Sequence, residues 1–505
     1  MMKHVQNMSL LFLPFFIQLL FLSSSVSAQQ DTTLATQFEN ALTSYAQLQG
    51  VTPTHYAIYE RMKLRKVPAV GVAVIKKGEI VLSKVYGEAN IEQKTEADTS
   101  TLFHFASISK TANALFIMKL VEEGKLSLTT DMREYLKEGS FKENNYSKGQ
   151  KITIANLLSH TAGIIRDDGP SGDYTHNKPL PTITQIVKGE KPALGNGAYC
   201  IRKPNETYEY SNQGICIVQK ILADNVDEDY NRLLTQHLFT PLNMHNSTFA
   251  LKLSEEKQKK LAKGYVFDYE VVPPYVFPCQ AEGGLVATVS DIAKMVIAIQ
   301  NAYNEKGNAF LKKETIQKMF TPQLGELTYT GSLDVPYKNG LGVMLFEKGG
   351  RKYFTHTGSI DGYTSVYVGS FDGKDGAVIV VNTSYAGMIS EVLNSIATTF
   401  QWEGYLDYTY KTAIIPKENL GKDYLGTYKL PTEKGAYFTT ITQVGKQLYI
   451  QNSSDGTPEP LYFSSDKAGF VLSRSYTVEF ASKGKKSMII LKNNGSFSGE
   501  AMKVK

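Results

Sequence analysis

Cysteine is rare in this chain, whose 505 residues include three: Cys200, Cys216 and Cys279. Their spacing matches no metal-binding pattern, and an odd number leaves at least one thiol outside any internal disulfide. We therefore predict no metal site, and nothing in the sequence calls for a cofactor. The cysteines are either buried thiols or one disulfide pair with one free thiol, and the sequence leaves the pairing open.

Excess charge of one sign is also absent. The chain has 54 Lys and Arg against 49 Asp and Glu, a formal net charge of +5, and its lysines are scattered. Nucleic-acid binding requires a concentrated basic surface, so we expect no nucleic-acid partner. A hydrophobic fraction of 42% is enough to build a large core and excludes a disordered chain.

One long apolar run stands at the N-terminus, Leu10 to Leu22. It follows a polar start at Lys3 and leads into small residues that end at Ala28, which is the pattern of a secretory signal peptide. The alternative is a membrane anchor, but the run is short for a span. We expect residues 1–28 to be removed, the mature protein to be exported to the periplasm or the medium, and no stable membrane span to remain.

Short apolar runs separated by glycine-containing turns predict strands near both ends of residues 29–402, with helices between them. The strands are Val70–Ile75, Glu79–Val85, Tyr353–His356, Thr364–Val368 and Ala377–Val381. This order predicts an α/β domain whose antiparallel sheet joins N- and C-terminal strands. Helices would flank the sheet, and a helical insertion would fill much of the middle.

The pattern changes after Trp402. Residues 403–419 have the composition of a linker, and residues 420–505 contain short alternating runs separated by turn residues. Such runs predict a small all-β domain, an antiparallel barrel or a sandwich.

Ser107 and Lys110 are three residues apart near a predicted helix start. The helix is expected over Lys110–Glu123, so both side chains would share one helix face. A serine hydroxyl needs a nearby base, and a buried lysine beside positive helix-end dipoles can serve as one. The same spacing recurs at Ser464 and Lys467, so the motif alone is not specific.

Two later stretches carry compatible residue types. A tyrosine hydroxyl at position 210, near a lysine ammonium, can carry protons, and Asn212 can donate to a substrate carbonyl. Further on, Ser359 would lie on an edge strand, where its backbone N–H could join that of Ser107 in an oxyanion hole. Gly358 would let the substrate backbone approach closely.

Together these residues form three short motifs in a fixed order. They are Ser107-x-x-Lys110, Tyr210-x-Asn212 and His356-Thr357-Gly358. The set resembles the three motifs of serine β-lactamases and penicillin-binding proteins. The nearest resemblance is to the class C β-lactamase-like branch, which includes esterases and D-stereospecific peptidases. Leu157–Gly163 and Gly283–Leu285 are similar to further landmarks of that family.

The resemblance implies a β-lactamase/DD-peptidase-like fold and a division of roles. The implied catalytic residues are Ser107 as the acylated nucleophile, with Lys110 and Tyr210 sharing the acid/base work in proportions that stay open. The implied substrate-binding residues are Asn212, His356, Thr357, Gly358 and Ser359. The tail, with Tyr424–Tyr428, resembles the small lipocalin-like domain that often follows such hydrolases.

Two positions depart from the family pattern. β-Lactamases and many penicillin-binding proteins have a lysine where this chain has His356, and histidine is mostly neutral at pH 7. The change argues against a dedicated penicillin hydrolase. Glu282 stands where the family usually has a small residue. Its carboxylate either lines the cleft or is a solvated loop carboxylate, and we expect the second because most carboxylates are exposed.

The sequence therefore predicts an exported serine hydrolase that forms an acyl-enzyme with esters, amides or D-amino-acid peptides. Its partner would be a small molecule or a peptide, cell-wall derivatives included. The alternatives are a penicillin-binding protein or sensor that acylates slowly, a β-lactamase or DD-carboxypeptidase, and a protein whose functional part is the β-rich tail.

Overall fold

The computed structural model of the protein describes residues 33–504, with short internal gaps. The gaps are 138, 167–173, 175–176, 267–268, 326–328, 331–332, 334, 407–408, 416–422, 433–434, 454–456, 474–475, 485 and 494–495. The predicted signal peptide, residues 1–28, lies outside the described residues. Among the described residues, no helix is long and apolar enough to cross a membrane.

Thirteen strands are described before residue 412. They are β1 (Ala46–Leu48), β2 (Ala69–Lys76), β3 (Glu79–Asn90), β4 (Thr95–Glu96), β5 (Phe103–His104), β6 (Val286–Ala287), β7 (Tyr329–Thr330), β8 (Pro336–Asn339), β9 (Met344–Lys348), β10 (Arg351–Ile360), β11 (Tyr363–Ser370), β12 (Asp375–Val381) and β13 (Thr409–Lys411). Nine of them form one antiparallel sheet in the order β4-β3-β2-β12-β11-β10-β9-β8-β7. N-terminal β2 pairs with C-terminal β12, which confirms the predicted closure of the sheet.

The helices described are mostly short. They are α1 (33–39), α2 (Ile58–Arg65), α3 (Ser109–Glu122), α4 (Ile154–Leu158), α5 (Ile183–Lys188), α6 (Asn212–Asn225), α7 (Tyr230–Leu234), α8 (Glu255–Lys260), α9 (Gln280–Gly283), α10 (Val289–Tyr303), α11 (Lys313–Met319) and α12 (Gly387–Thr399). Most lie between β5 and β7 in the chain, so the predicted helical insertion is confirmed.

The sheet separates two apolar layers, because side chains alternate between its faces. Along β2, Ala73 joins the core that contains helix α3, whereas Val72 and Val74 join the core that contains α2 and α12. Helix α3 therefore packs on one face of the sheet, and α2 and α12 cover the other.

The C-terminal part is a closed barrel of eight strands. They are β14 (Gly426–Thr432), β15 (Gly435–Val444), β16 (Gln447–Asn452), β17 (Glu459–Ser465), β18 (Ala468–Phe470), β19 (Tyr476–Lys483), β20 (Lys486–Asn493) and β21 (Ser496–Lys503). The predicted barrel is confirmed, and β14 pairs with β21 to close it. Inward side chains such as Tyr428, Ile450 and Val478 form a core of its own.

The barrel is attached on the α2 side of the sheet. Arg65 of α2 forms an ion pair with Glu459 of β17 at 3.0 Å, and it also lies 3.6 Å from Glu391 of α12. Strand β13, inside the predicted linker 403–419, pairs in parallel with β1. The barrel therefore contacts the layer opposite helix α3, and the domain boundaries themselves stay a prediction.

Candidate active site

Ser107 lies in a tight 3₁₀ turn, Ala106–Ile108, immediately before helix α3. Strand β5 leads into the turn and pairs with β6, which fixes the entry of the chain. Ala106 has φ 43°, a left-handed conformation that costs a non-glycine residue free energy. Between residues 101 and 110 every side chain except that of Ser107 is buried. The fold thus exposes one hydroxyl at the start of a buried helix.

Lys110 lies one turn into α3 and is fully buried. Its Nζ donates to Ser107 Oγ at 3.0 Å and to the main-chain carbonyl of Glu282 at 2.6 Å. The structure therefore brings the two residues of the first motif into direct contact. A neutral amine at this place would accept the proton of the serine hydroxyl without any rearrangement.

Tyr210 and Asn212 lie at the start of α6, close to Lys110. The Lys110 Nζ is 5.0 Å from the centroid of the Tyr210 ring. Ser211 caps the helix by accepting from the Gly214 N–H, and Asn212 is its first residue. The second motif is therefore held beside the first by a capped helix start.

His160 supports this segment, and sequence reasoning assigned it no role. Its ring packs on Tyr210 with centroids 4.4 Å apart, and its Nδ1 accepts the Ser211 backbone N–H at 3.1 Å. Burial and the nearby charge of Lys110 hold the pKa of His160 well below its usual range. The neutral ring can therefore keep accepting from Ser211. The signal was the position of His160 within the landmark Leu157–Gly163.

Strand β10 carries the third motif and lies inside the sheet, not at its edge. It pairs with β11 along its whole length, but its register with β9 ends at Thr355, opposite Met344. From His356 to Ile360, no pairing with β9 is described. The expected edge strand is thus an interior strand with one free half, and that half packs beside the turn of Ser107.

Gly358 has a packing role within the protein that the sequence did not indicate. A Cβ built on it would lie 2.1 Å from the carbonyl oxygen of Phe105 and 2.5 Å from Ser365 Oγ. The absent side chain therefore lets β10 approach the protein's own nucleophile turn, and the predicted approach of a substrate backbone stays a prediction. Thr357 is half-buried and Ser359 is exposed, and an oxyanion role for the Ser359 N–H stays a prediction.

His356 is buried and lies close to Lys110. Burial first, and then the charge of Lys110, lower its pKa to about 4. Its Nδ1 is 2.8 Å from the Thr357 carbonyl, which can accept only if Nδ1 carries the proton. His356 is therefore a neutral imidazole at pH 7.

The expectation that Glu282 is solvated is wrong. Its side chain is 3% exposed, and its Oε2 lies 3.7 Å from Lys110 Nζ. The carboxylate is buried because the short helix α9 packs against α3 and α6. The informative feature of the sequence was an acidic residue at a position where the family pattern has a small residue.

Cys216 of α6 and Cys279, just before α9, form a disulfide, and Cys200 is a buried free thiol. This settles the pairing that the sequence left open. Among the described residues, no group of three or more His, Cys, Asp or Glu side chains is arranged to hold a metal ion. A separate cavity of about 870 Å³ is lined by His104, Phe277 and other residues, but not by Ser107 or Lys110.

Comparisons with known proteins agree with this geometry. A family model described as Beta-lactamase matches residues 57–421. Protein flp of Staphylococcus aureus strain MW2 is 25% identical over 335 residues, which cover 65% of this chain and 63% of that protein. The unguisins hydrolase ungD of Aspergillus violaceofuscus is 25% identical over 354 residues, 65% of this chain and 60% of its own length. The match thus spans less than two thirds of these curated relatives.

Two solved structures share the fold. The octameric penicillin-binding protein homologue from Pyrococcus abyssi aligns with a TM-score of 0.59 and 25% identity, covering 88% of this chain and 98% of that one. SurE aligns with a TM-score of 0.55 over 88% of this chain and 97% of its own, and its 19% identity speaks for the fold alone. Because the family model covers well over half of the 505 residues, the chain belongs to the beta-lactamase family.

Proposed function

We propose that the protein is an exported hydrolase that forms an acyl-enzyme on Ser107 and acts on esters, amides or D-amino-acid peptides. The observation that carries the proposal is the 3.0 Å contact between Ser107 Oγ and the buried Lys110 Nζ. A serine becomes nucleophilic when a positioned base removes its proton during attack. The relative named as an unguisins hydrolase supports hydrolysis in general terms.

Acylation would proceed with every proton accounted for. Ser107 Oγ attacks the substrate carbonyl carbon while its proton moves to the neutral Lys110 amine. The tetrahedral intermediate then collapses and the bond to the leaving group breaks. The Lys110 ammonium gives the proton to the leaving group, and Tyr210 shares in this proton transfer. The products are an acyl-serine at residue 107, the neutral Lys110 amine and the protonated leaving group.

Deacylation would use the same groups in reverse. A water molecule gives its proton to Lys110 as its oxygen attacks the ester carbonyl, and the ammonium then protonates the departing Ser107 oxygen. Backbone N–H groups of Ser107 and Ser359 would stabilise the oxyanion in both steps, a contribution typically worth 10²–10³ in rate per donor. Asn212 and Thr357 would orient the substrate.

The neutral state of His356 supports the substrate class. Penicillins carry a carboxylate that a fixed cation attracts, whereas a neutral imidazole offers at most a hydrogen bond. With a pKa of about 4, His356 supplies no such cation near pH 7. Esters and amides that lack this carboxylate do not need a cation at this position.

The test is covalent labelling of the purified protein with a fluorophosphonate, followed by peptide mass analysis. We expect one adduct on the peptide containing Ser107, and Ser107→Ala should lose both the adduct and at least about 10⁴ of ester turnover while staying folded. An adduct on another residue, or activity that survives in Ser107→Ala, would refute the assignment.

A second candidate, a penicillin-binding sensor that acylates slowly, draws support from the similarity to the Pyrococcus abyssi homologue. Turnover separates the two, because a hydrolase releases its acyl group over many cycles and a sensor retains it. A β-lactamase or a DD-carboxypeptidase would be recognised in the same assay by its substrate. The export proposal is tested by sequencing the N-terminus of the mature protein, which should begin at residue 29.

A further inference from the structure

Glu282 contacts Lys110 twice. Its main-chain carbonyl accepts from Nζ at 2.6 Å, and its carboxylate Oε2 lies 3.7 Å from the same nitrogen. The Lys110 side chain is 0% exposed and that of Glu282 is 3% exposed. Water therefore screens this pair little, and each charge strongly affects the other. A substitution of the Glu282 side chain would change the carboxylate and leave the main-chain contact in place.

The carboxylate is held in place by a firmly anchored helix. The disulfide between Cys216 and Cys279 joins α6 to the residue before α9. The Ala281 N–H donates to Gln219 Oε1 at 2.8 Å. Gly283 follows Glu282 and packs so closely on the Phe277 ring that a Cβ would lie 2.6 Å from it. The acid thus has a fixed position relative to Lys110.

The two histidines near Lys110 are neutral near pH 7, and the Arg166 guanidinium adds a second positive charge 5.6 Å from the centroid of the Tyr210 ring. His160 and His356 are buried, and Lys110 itself contributes to lowering their pKa values. The Tyr210 ring lies 5.0 Å from Nζ and offers the ammonium a ring face. Among the described residues, Glu282 is the carboxylate that pairs with Lys110. It is therefore the group whose charge most directly opposes that of the lysine.

We propose that Glu282 is a positioning residue that sets the pH range in which Ser107 reacts, by holding the proton on Lys110. This inference rests on the proposed function, since Ser107 can lose its proton only to the neutral amine. An ionised carboxylate at 3.7 Å favours the ammonium form, so the serine becomes reactive at a higher pH than it would without Glu282.

The experiment measures the rate of fluorophosphonate labelling of Ser107 in the full mature chain, between about pH 5 and pH 10. In Glu282→Gln, the midpoint of the acidic limb should move to lower pH by about one unit or more. Glu282→Asp keeps the charge but draws it back from Nζ, so its midpoint should fall between those of the wild type and Glu282→Gln. A purely structural role would lower the rate at every pH and leave the midpoint in place.

Glu209→Gln is the matched control. This substitution also removes one negative charge, at the residue before Tyr210 in the sequence. The Glu209 carboxylate pairs with Arg202 at 3.4 Å, so we expect the midpoint of Ser107 labelling to be unchanged. A midpoint in Glu282→Gln equal to that of the wild type would overturn the inference. If Glu282→Gln fails to fold, a wild-type midpoint in Glu282→Asp would overturn it equally. Absence of labelling at Ser107 in the wild type at every pH would instead refute the proposed function.

Discussion

Replacement of His356 by lysine tests whether this position sets the substrate preference. His356 lies on β10 beside the nucleophile turn and is 2% exposed. With a pKa of about 4, its ring is almost entirely neutral at pH 7.5. The wild-type position therefore carries no charge, and His356→Lys introduces a full one.

The expected gain follows from the worth of one charged contact. If the new ammonium interacts with a penicillin carboxylate by about 1.4 kcal/mol, acylation by penicillin should improve by about tenfold. The new charge would also repel Lys110, because the existing lysine already lowers the pKa of His356 from this distance. The repulsion affects every substrate alike, so the ratio between two substrates isolates the carboxylate contact.

The assay compares kcat/KM for benzylpenicillin and for a short-chain nitrophenyl ester near pH 7.5. We expect the wild type to hydrolyse the ester far better, and the penicillin-to-ester ratio to rise by about tenfold in His356→Lys. A wild type that hydrolyses penicillin efficiently, together with no change of the ratio in His356→Lys, would show that this position does not set the preference.

Three further predictions concern stability. Burial lowers the pKa values of His104, His160 and His356 below the unfolded value near 6.5, so the unfolded chain binds protons that the folded chain does not. As the pH falls from about 6.5 to about 4, the free energy of unfolding should therefore decrease by up to about 1.4 kcal/mol per pH unit for each histidine. Urea midpoints that do not change from pH 7 to pH 5 would contradict this prediction. Glu459→Gln breaks the buried ion pair with Arg65 and should lower the free energy of unfolding by about 3 kcal/mol. A chain ending near residue 410 should stay folded and keep some activity on a small ester, but with reduced stability. Complete unfolding of the shortened chain would show that the barrel and the large domain share one core.

Local pattern was enough to predict most of the fold. The β2–β3 hairpin and helix α3 appeared within a few residues of their predicted bounds, because β-branched alternation and helix periodicity are local signals. Like β21, with which it closes the barrel, strand β14 was given no predicted bounds. It contains Pro431 and alternates less clearly than its neighbours, and its place depends on pairing with residues more than 70 positions away.

The site was less predictable than the fold, because its errors concern burial and close approach. Glu282 is 172 residues from Lys110 in sequence, and its burial depends on a disulfide and on helix packing that no local pattern encodes. Gly358 also makes room for the Phe105 carbonyl, a contact between distant parts of the chain that no local pattern indicated. Motif order was enough to identify the residues around Ser107, while their roles stay predictions.

The end of the pairing between β9 and β10 at Thr355 has a consequence for the size of the preferred substrate. Strand β10 continues for five residues beyond it, and among the described residues no strand pairs with them on that side. A peptide lying there would gain one set of main-chain hydrogen bonds for every second residue, as in β-strand addition. A nitrophenyl ester has no amide to contribute and would use the reactive serine alone. Catalytic efficiency should therefore increase with the number of consecutive amides in the substrate, and tests with small esters would underestimate it.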